Sequence, residues 1–339
     1  MKLQKFILIF ILFFPFSGLM AQRYDNKKGG GVPDPQLSQE DNDYLDRQAK
    51  VFLDSVQAII AKYPPSANES RERGFAKLLL DAVFHDHYSA YRKPVQDYFH
   101  NRIGKVTDEL EMTKAGLGAQ VWKIYDMGFI VRTASVTLAF DLVSGITSGS
   151  ADFAMKDDEK ERLVKQCDAL FITHRHEDHA DKGIAEKFLQ MGKPVFAPEQ
   201  VWKNDSIFNK ITHLERNSDR KQSIDLGNKK LEVVVFPGHQ MKSTENNVYL
   251  VKTPEGISFA HLGDQINEGD FMIDFEWIDQ VSKKYKVDIL MPAAWTTDIM
   301  RIVKGFNPKL VLPGHELELG HTVWDRLPFW GDDEYLGLN

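Results

Sequence analysis

The stretch LFITHRHEDHAD, residues 170 to 181, places three histidines and several acidic residues directly after an apolar run. Residues i and i+2 of an extended segment point the same way, so His174 and His176 can offer two imidazoles to one ion. Asp178 and His179 are adjacent and cannot share a face of a strand, so the chain must turn for both to approach a second ion. Because neutral imidazole and carboxylate are ligands that zinc favours, the stretch predicts a metal centre at a strand end.

The pattern H-x-H-x-D-H resembles the signature of the metallo-β-lactamase superfamily, and the resemblance covers about residues 119 to 330. That family needs three more ligands at the ends of later strands. In this chain His239 follows VVVFPG, Asp264 follows ISFAHLG, and His315 follows KLVLPG, in the family's order. Upstream, Asp141 follows VTLAF and is similar to the superfamily's strand-end aspartate near the site.

The resemblance implies a dinuclear zinc site, with Mn²⁺ or Fe²⁺ as alternatives. The first zinc would be held by His174, His176 and His239, the second by Asp178, His179 and His315, with Asp264 bridging both. Asp178 and Asp264 would be the catalytic residues that position a metal-bridging hydroxide and help to shuttle a proton. An anionic bridge offsets the repulsion of two dications about 3.5–4 Å apart, so the chemistry agrees with this set.

The fold that the resemblance implies is α/β, a four-layer αββα metallo-β-lactamase sandwich with an N-terminal helical extension. Over residues 38–112 apolar residues recur at three- and four-residue steps, which predicts helices. From 113 to 339 strand and helix patterns mix, which predicts mixed sheets and the hydrolase domain. Residues 23–37, rich in glycine and proline, are predicted to form a linker.

Residues 1–22 have the layout of a secretory signal peptide. Lys2 and Lys5 precede an apolar run that is too short to span a bilayer, and the small residues Ser17, Gly18 and Ala21 follow. We therefore expect an exported protein, periplasmic or extracellular, with no stable membrane span after cleavage. An uncleaved anchor is the alternative, because Leu19 is a poor residue before a cleavage site.

The composition of the 339 residues restricts the partners. A net charge of −7 gives no electrostatic footprint for nucleic acid, so a small-molecule substrate is expected. The only cysteine, Cys167, excludes an intramolecular disulfide and a thiolate metal cluster, and it is predicted to be buried and inert. The sequence leaves the oligomeric state open.

The motif's surroundings bear on the substrate. Zinc β-lactamases carry a cysteine or a non-bridging residue where this chain has Asp264, which argues against penicillin hydrolysis. The continuation DHAD resembles the DHLD of the branch that holds ascorbate-6-phosphate lactonases and N-acyl phosphatidylethanolamine phospholipase D. That branch implies a phosphodiester or a lactone or ester as substrate. A non-catalytic binding protein that kept the metal site is the alternative from another class.

The remaining histidines are weaker candidates. His85 and His87 lie two apart in a predicted helix and cannot share an ion there. His261 could reach the site or pack on its strand, and both readings stay open. His100 and His213 are expected at the surface. The helical extension could form a lid over the site or a packed N-terminal cap.

Overall fold

The computed structural model describes residues 34–65, 70–84, 86, 88–114, 116–145, 154–241, 243–267 and 269–315. The predicted signal peptide and most of the predicted linker lie outside these residues, so both stay predictions. Within the described ranges no helix is long and apolar enough to cross a membrane.

Two mixed sheets form the centre of the molecule. The first has five strands in chain order, β1 Gln120–Lys123, β2 Phe129–Arg132, β3 Thr137–Phe140, β4 Ala169–Phe171 and β5 Val195–Phe196. The second has six strands, again neighbours in chain order, β6 Asn217–Leu226, β7 Lys229–Met241, β8 Thr244–Lys252, β9 Ser258–His261, β10 Ile289–Met291 and β11 Leu310–Val311. In each sheet the earlier strands pair antiparallel and the last pairs are parallel, as in β3–β4 and β9–β10.

Eight α-helices are described, and they fall into two sets. Three form the N-terminal extension, α1 Gln39–Lys62, α2 Arg71–Phe84 and α3 Lys93–Met112. The others alternate with strands, α4 Asp157–Gln166, α5 Lys182–Gln190, α6 Phe275–Ile278, α7 Val281–Lys284 and α8 Ile299–Phe306.

Three apolar clusters define the layers. The cluster between the sheets takes alternate residues from both, such as Phe171 of β4 with Val233 of β7. A second cluster joins the opposite face of the first sheet to α4 and α5. A third joins the opposite face of the second sheet to α6, α7 and α8. The order helix, sheet, sheet, helix confirms the predicted four-layer αββα sandwich.

The extension packs on the helical side of the first sheet. Leu53 of α1 and Phe99 of α3 belong to the same buried cluster as Leu163 of α4, and His100 lies 3.0 Å from Glu159 across the junction of α3 and α4. Of the two alternatives for the extension, this packing favours a packed N-terminal cap and not a lid on the site.

Two details differ from the sequence-based expectation. The sequence pattern predicts one helix over about 273–285, but the structure divides this region among the end of a 3₁₀ turn, Gly269–Asp274, and the short helices α6 and α7. Strand β6 was not expected, because its sequence NSDRKQSIDL is polar and charged. Such residues suit an edge strand, where charge discourages pairing with another chain, and β6 is the outermost strand of its sheet.

The single thiol provides a test of this packing. Cys167 is 1% exposed, and burial raises its pKa to about 12. Because the thiolate is the reactive form, the folded protein at pH 8 should give almost no reaction with Ellman's reagent. In guanidinium chloride one equivalent should react at once. Rapid reaction of the folded protein would contradict the described core.

Candidate metal centre

The candidate site lies where the two sheets meet at the ends of their strands. Asp141 follows β3, His174 lies three residues beyond β4, and Asp264 lies three residues beyond β9. His315 lies four residues beyond β11, and His239 lies near the end of β7 beside a register shift that re-aims the strand. Carboxyl ends of parallel strands share one edge of a sheet, which explains why residues far apart in sequence meet here.

Two groups of ligand-type side chains share one carboxylate. His174, His176 and Asp264 form one group, and Asp178, His179, Asp264 and His315 form the other, each with its ligand atoms within 4.8 Å of one another. Six of the seven predicted ligands are therefore brought together. Asp264 is the member common to both groups, which is the placement that a bridging ligand requires.

The distances around Asp264 show how closely the groups converge. Its Oδ1 lies 2.9 Å from His315 Nε2 and 3.1 Å from His179 Nε2, and its Oδ2 lies 3.6 Å from His174 Nε2. The two Nε2 atoms of His179 and His315 are 3.2 Å apart. On the outer side, Asp178 Oδ2 lies 3.5 Å from His179 Nε2.

Buried Asp141 orients the ring of His179. Its Oδ1 accepts the backbone N–H of Thr173 at 2.7 Å, and its Oδ2 accepts the Thr173 hydroxyl at 2.6 Å and His179 Nδ1 at 2.7 Å. Burial alone would raise the pKa of Asp141, but the neighbouring imidazole and these hydrogen bonds lower it overall. An ionised carboxylate only accepts, so His179 Nδ1 carries the proton and Nε2 faces the site.

His174 has the character of a metal ligand. Burial lowers its pKa to about 3, so the imidazole is neutral. Its Nδ1 lies 3.1 Å from the Thr173 hydroxyl, whereas its buried Nε2 has no hydrogen-bond partner. A buried nitrogen lone pair without a donor costs free energy, and a bound cation would satisfy it. The residues present therefore fit a metal ion.

His239 does not belong to either group. Its Nδ1 lies 3.1 and 3.0 Å from the two carboxylate oxygens of Asp274, and its ring stacks on Phe271 with the centroids 5.2 Å apart. Its assignment as a ligand of the first metal stays a prediction.

Other histidines are placed as follows. His261 is buried in the core, where its Nε2 donates to the Met127 carbonyl at 2.9 Å and its ring stacks on Phe140, so it packs on its strand. His100 and His213, which were expected at the surface, are partly exposed and bonded, to Glu159 and to the Ala197 carbonyl. His85 and His87 lie outside the described residues.

Sequence reasoning missed three residues that support the ligands. Thr173 lies inside the quoted stretch, directly before His174, and a hydroxyl at the end of a buried strand was its only signal. Gln265 directly follows the predicted ligand Asp264, whereas Asp274 lies in a segment without a motif, and only the fold brings both to His239.

The chain is similar, at low sequence identity, to several solved structures. No family model and no curated protein matches the chain. A metallo hydrolase from Ignicoccus hospitalis, Igni18, is 18% identical with a TM-score of 0.47, over 65% of this chain and 92% of that one. The metallo-β-lactamase fold protein YhfI from Bacillus subtilis is 14% identical with a TM-score of 0.39, over 65% and 88%. CmlA, a diiron β-hydroxylase from Streptomyces venezuelae, is 15% identical with a TM-score of 0.43, over 85% and 59%.

These likenesses are distant, so the fold assignment rests on the molecule itself. The four layers, the two mixed sheets and the strand-end His/Asp groups are those expected of a metallo-β-lactamase fold. The predicted resemblance is thereby confirmed at the level of the fold. The branch within the superfamily stays a prediction.

A glycine at the site allows a matched test. Gly263 has φ +54°, and an added Cβ would lie 2.4 Å from Asn246 Oδ1 and 2.5 Å from Thr173 Oγ1. Gly256 also has a positive φ, +81°, but nothing lies within 4 Å of its added Cβ. We expect Gly256→Ala to lower the free energy of unfolding by ~1–2 kcal/mol from backbone strain. Gly263→Ala should cost a further ~1–3 kcal/mol from overpacking.

Urea unfolding measures both variants of this pair in the metal-free protein. Equal losses for the two substitutions would show that the close packing of Gly263 against Thr173 is not present in solution.

Proposed function

We propose that this protein is a metal-dependent hydrolase that holds two ions, one on each side of Asp264. The observation that carries the proposal is the membership of this one buried carboxylate in both ligand groups. Zinc is the metal that we propose first, because imidazole and carboxylate suit it, with manganese and iron as alternatives. Bound ions of this kind supply hydroxide at neutral pH and polarise a substrate oxygen.

The protein's own residues would divide the remaining work. Asp264, which is buried, would hold the two metal positions together and orient the attacking oxygen. The side chain of Asp178 is 44% exposed and lies at the rim of the second group, so it can exchange a proton with solvent. His179 would stay fixed by Asp141 throughout, because its Nδ1 hydrogen bond is buried.

The substrate that we propose is a phosphodiester or a lactone or ester. Support comes from the DHAD continuation and from Asp264 at the bridging position, which disfavours β-lactamase activity. We further propose that the protein acts outside the cytoplasm, on the layout of residues 1–22. A non-catalytic metal-binding protein is the second candidate, because the geometry of the ligands alone does not require turnover.

Hydrolysis is tested with the zinc-reconstituted chain on bis-(p-nitrophenyl) phosphate and on a simple lactone. We expect one of the two to be hydrolysed and chelation by EDTA to abolish the activity. Asp264→Asn should lower kcat/KM more than the ~10–100-fold typical of residues that only support a ligand. Asp225→Asn, an exposed aspartate in β6, is the matched control and should leave it unchanged.

If the protein binds two ions but hydrolyses neither substrate, the result would favour the non-catalytic candidate. EDTA-resistant hydrolysis would contradict the proposed mechanism itself.

Metal binding should depend on pH through His179. Burial lowers its pKa, but the carboxylates of Asp264, Asp178 and Asp141 raise it overall to well above 6.5. The metal-free imidazole is therefore protonated at neutral pH, and an ion must displace that proton. Affinity should fall as pH falls, with proton release measurable by calorimetry in buffers of different ionisation enthalpy. Binding without proton release at pH 7 would contradict this protonation state.

A further inference from the structure

We propose that Asp274 is the positioning residue for His239 and thereby sets the affinity of the first metal position; this rests on the proposed two-metal function. Asp274 is 2% exposed, and both of its carboxylate oxygens lie within 3.1 Å of His239 Nδ1. A carboxylate that is buried against one ring nitrogen of a histidine fixes the tautomer and orientation of that ring.

Other donors around Asp274 hold its carboxylate in place. Gln265 Nε2 donates to its Oδ2 at 2.7 Å, and Trp277 Nε1 donates to its Oδ1 at 3.3 Å. The carboxylate oxygens of Asp274 accept these hydrogen bonds, which places His239 Nδ1 as the third donor. With Nδ1 engaged by Asp274, Nε2 is the ring atom left to bind a metal ion.

The backbone of His239 is held by the same residue that holds Asp274. Gln265 Oε1 accepts the His239 N–H at 3.2 Å, and Ile266 N–H donates to the His239 carbonyl at 2.9 Å. Gly238 makes room for this contact, since a Cβ there would lie 2.0 Å from Gln265 Oε1. Gln265 thus couples the position of the strand to the orientation of the ring.

The arrangement repeats on the other side of the site. There, buried Asp141 accepts a hydrogen bond from Nδ1 of His179 at 2.7 Å. Each metal position would therefore contain one histidine oriented by a buried aspartate, Asp141 for the second position and Asp274 for the first. Loss of Asp274 should therefore weaken the binding of the ion at the first position and leave the binding of the other ion unchanged.

Zinc titration of the full chain by calorimetry, with a competing chelator, tests the inference. In Asp274→Asn the amide can donate to His239 Nδ1, which shifts the ring proton to Nε2. A protonated Nε2 has no lone pair with which to bind a metal ion. We expect one of the two zinc affinities to fall by ~10–100-fold and the other to stay unchanged. Asp270→Asn, an exposed aspartate on the same 3₁₀ turn, is the control and should match the wild type.

A double-mutant cycle with His239→Ala separates positioning from a general structural effect. If Asp274 acts through His239, adding Asp274→Asn to His239→Ala should change neither zinc affinity further. The inference is overturned if Asp274→Asn lowers zinc affinity equally in the wild type and in His239→Ala, or lowers it in neither. Gln265→Met removes the donor that lies 2.7 Å from Asp274 Oδ2 and should weaken binding of the same ion. It serves as a second variant if Asp274→Asn does not fold.

The two proposals fail in different ways. Wild-type protein that binds two zinc ions, with Asp274→Asn indistinguishable from it, overturns the role of Asp274 alone. Wild-type protein that binds fewer than two zinc ions overturns the proposed two-metal function and this inference with it.

Discussion

The hydrogen bonds to the buried carboxylate of Asp141 are the constraint on which the site depends. They join the end of β3 to the end of β4 through Thr173 and fix the tautomer of His179 at the same time. The backbone of Asp141 adopts φ +40°, an uncommon conformation for a residue other than glycine. A strained residue with a fully satisfied, buried charge is what a site needs if its ligands must be oriented before an ion arrives.

The second sheet closes the site from the other side. Asn247 N–H donates to the Thr173 carbonyl at 2.8 Å, which connects β8 directly to the segment that carries His174. His315 also has a positive φ, +54°, and its N–H donates to the carbonyl of Asp126, in the turn between β1 and β2 of the first sheet. Because these contacts cross between the sheets, the sandwich and the ligand groups depend on each other. Asp264, at the centre, is the point at which both halves meet.

The sequence predicted what is local, and the remainder depended on tertiary contact. His174 to His179 could be read as a ligand cluster because i, i+2 spacing and a turn are properties of the chain itself. Asp274 could not, since it lies 35 positions from His239 in a segment whose expected long helix is broken. Strand β6 was missed because an edge strand does not need the apolar alternation that marks a buried one. His261 was ambiguous for a similar reason: its burial comes from Phe140 and Met127, which are distant in sequence.

The measurement that tests the central claim most directly is the anomalous diffraction of crystals of the zinc-loaded protein. The account predicts two peaks with Asp264 between them, one near His174, His176 and His239 and the other near Asp178, His179 and His315. A single peak, or zinc bound away from Asp264, would contradict the claim that this carboxylate joins two metal positions.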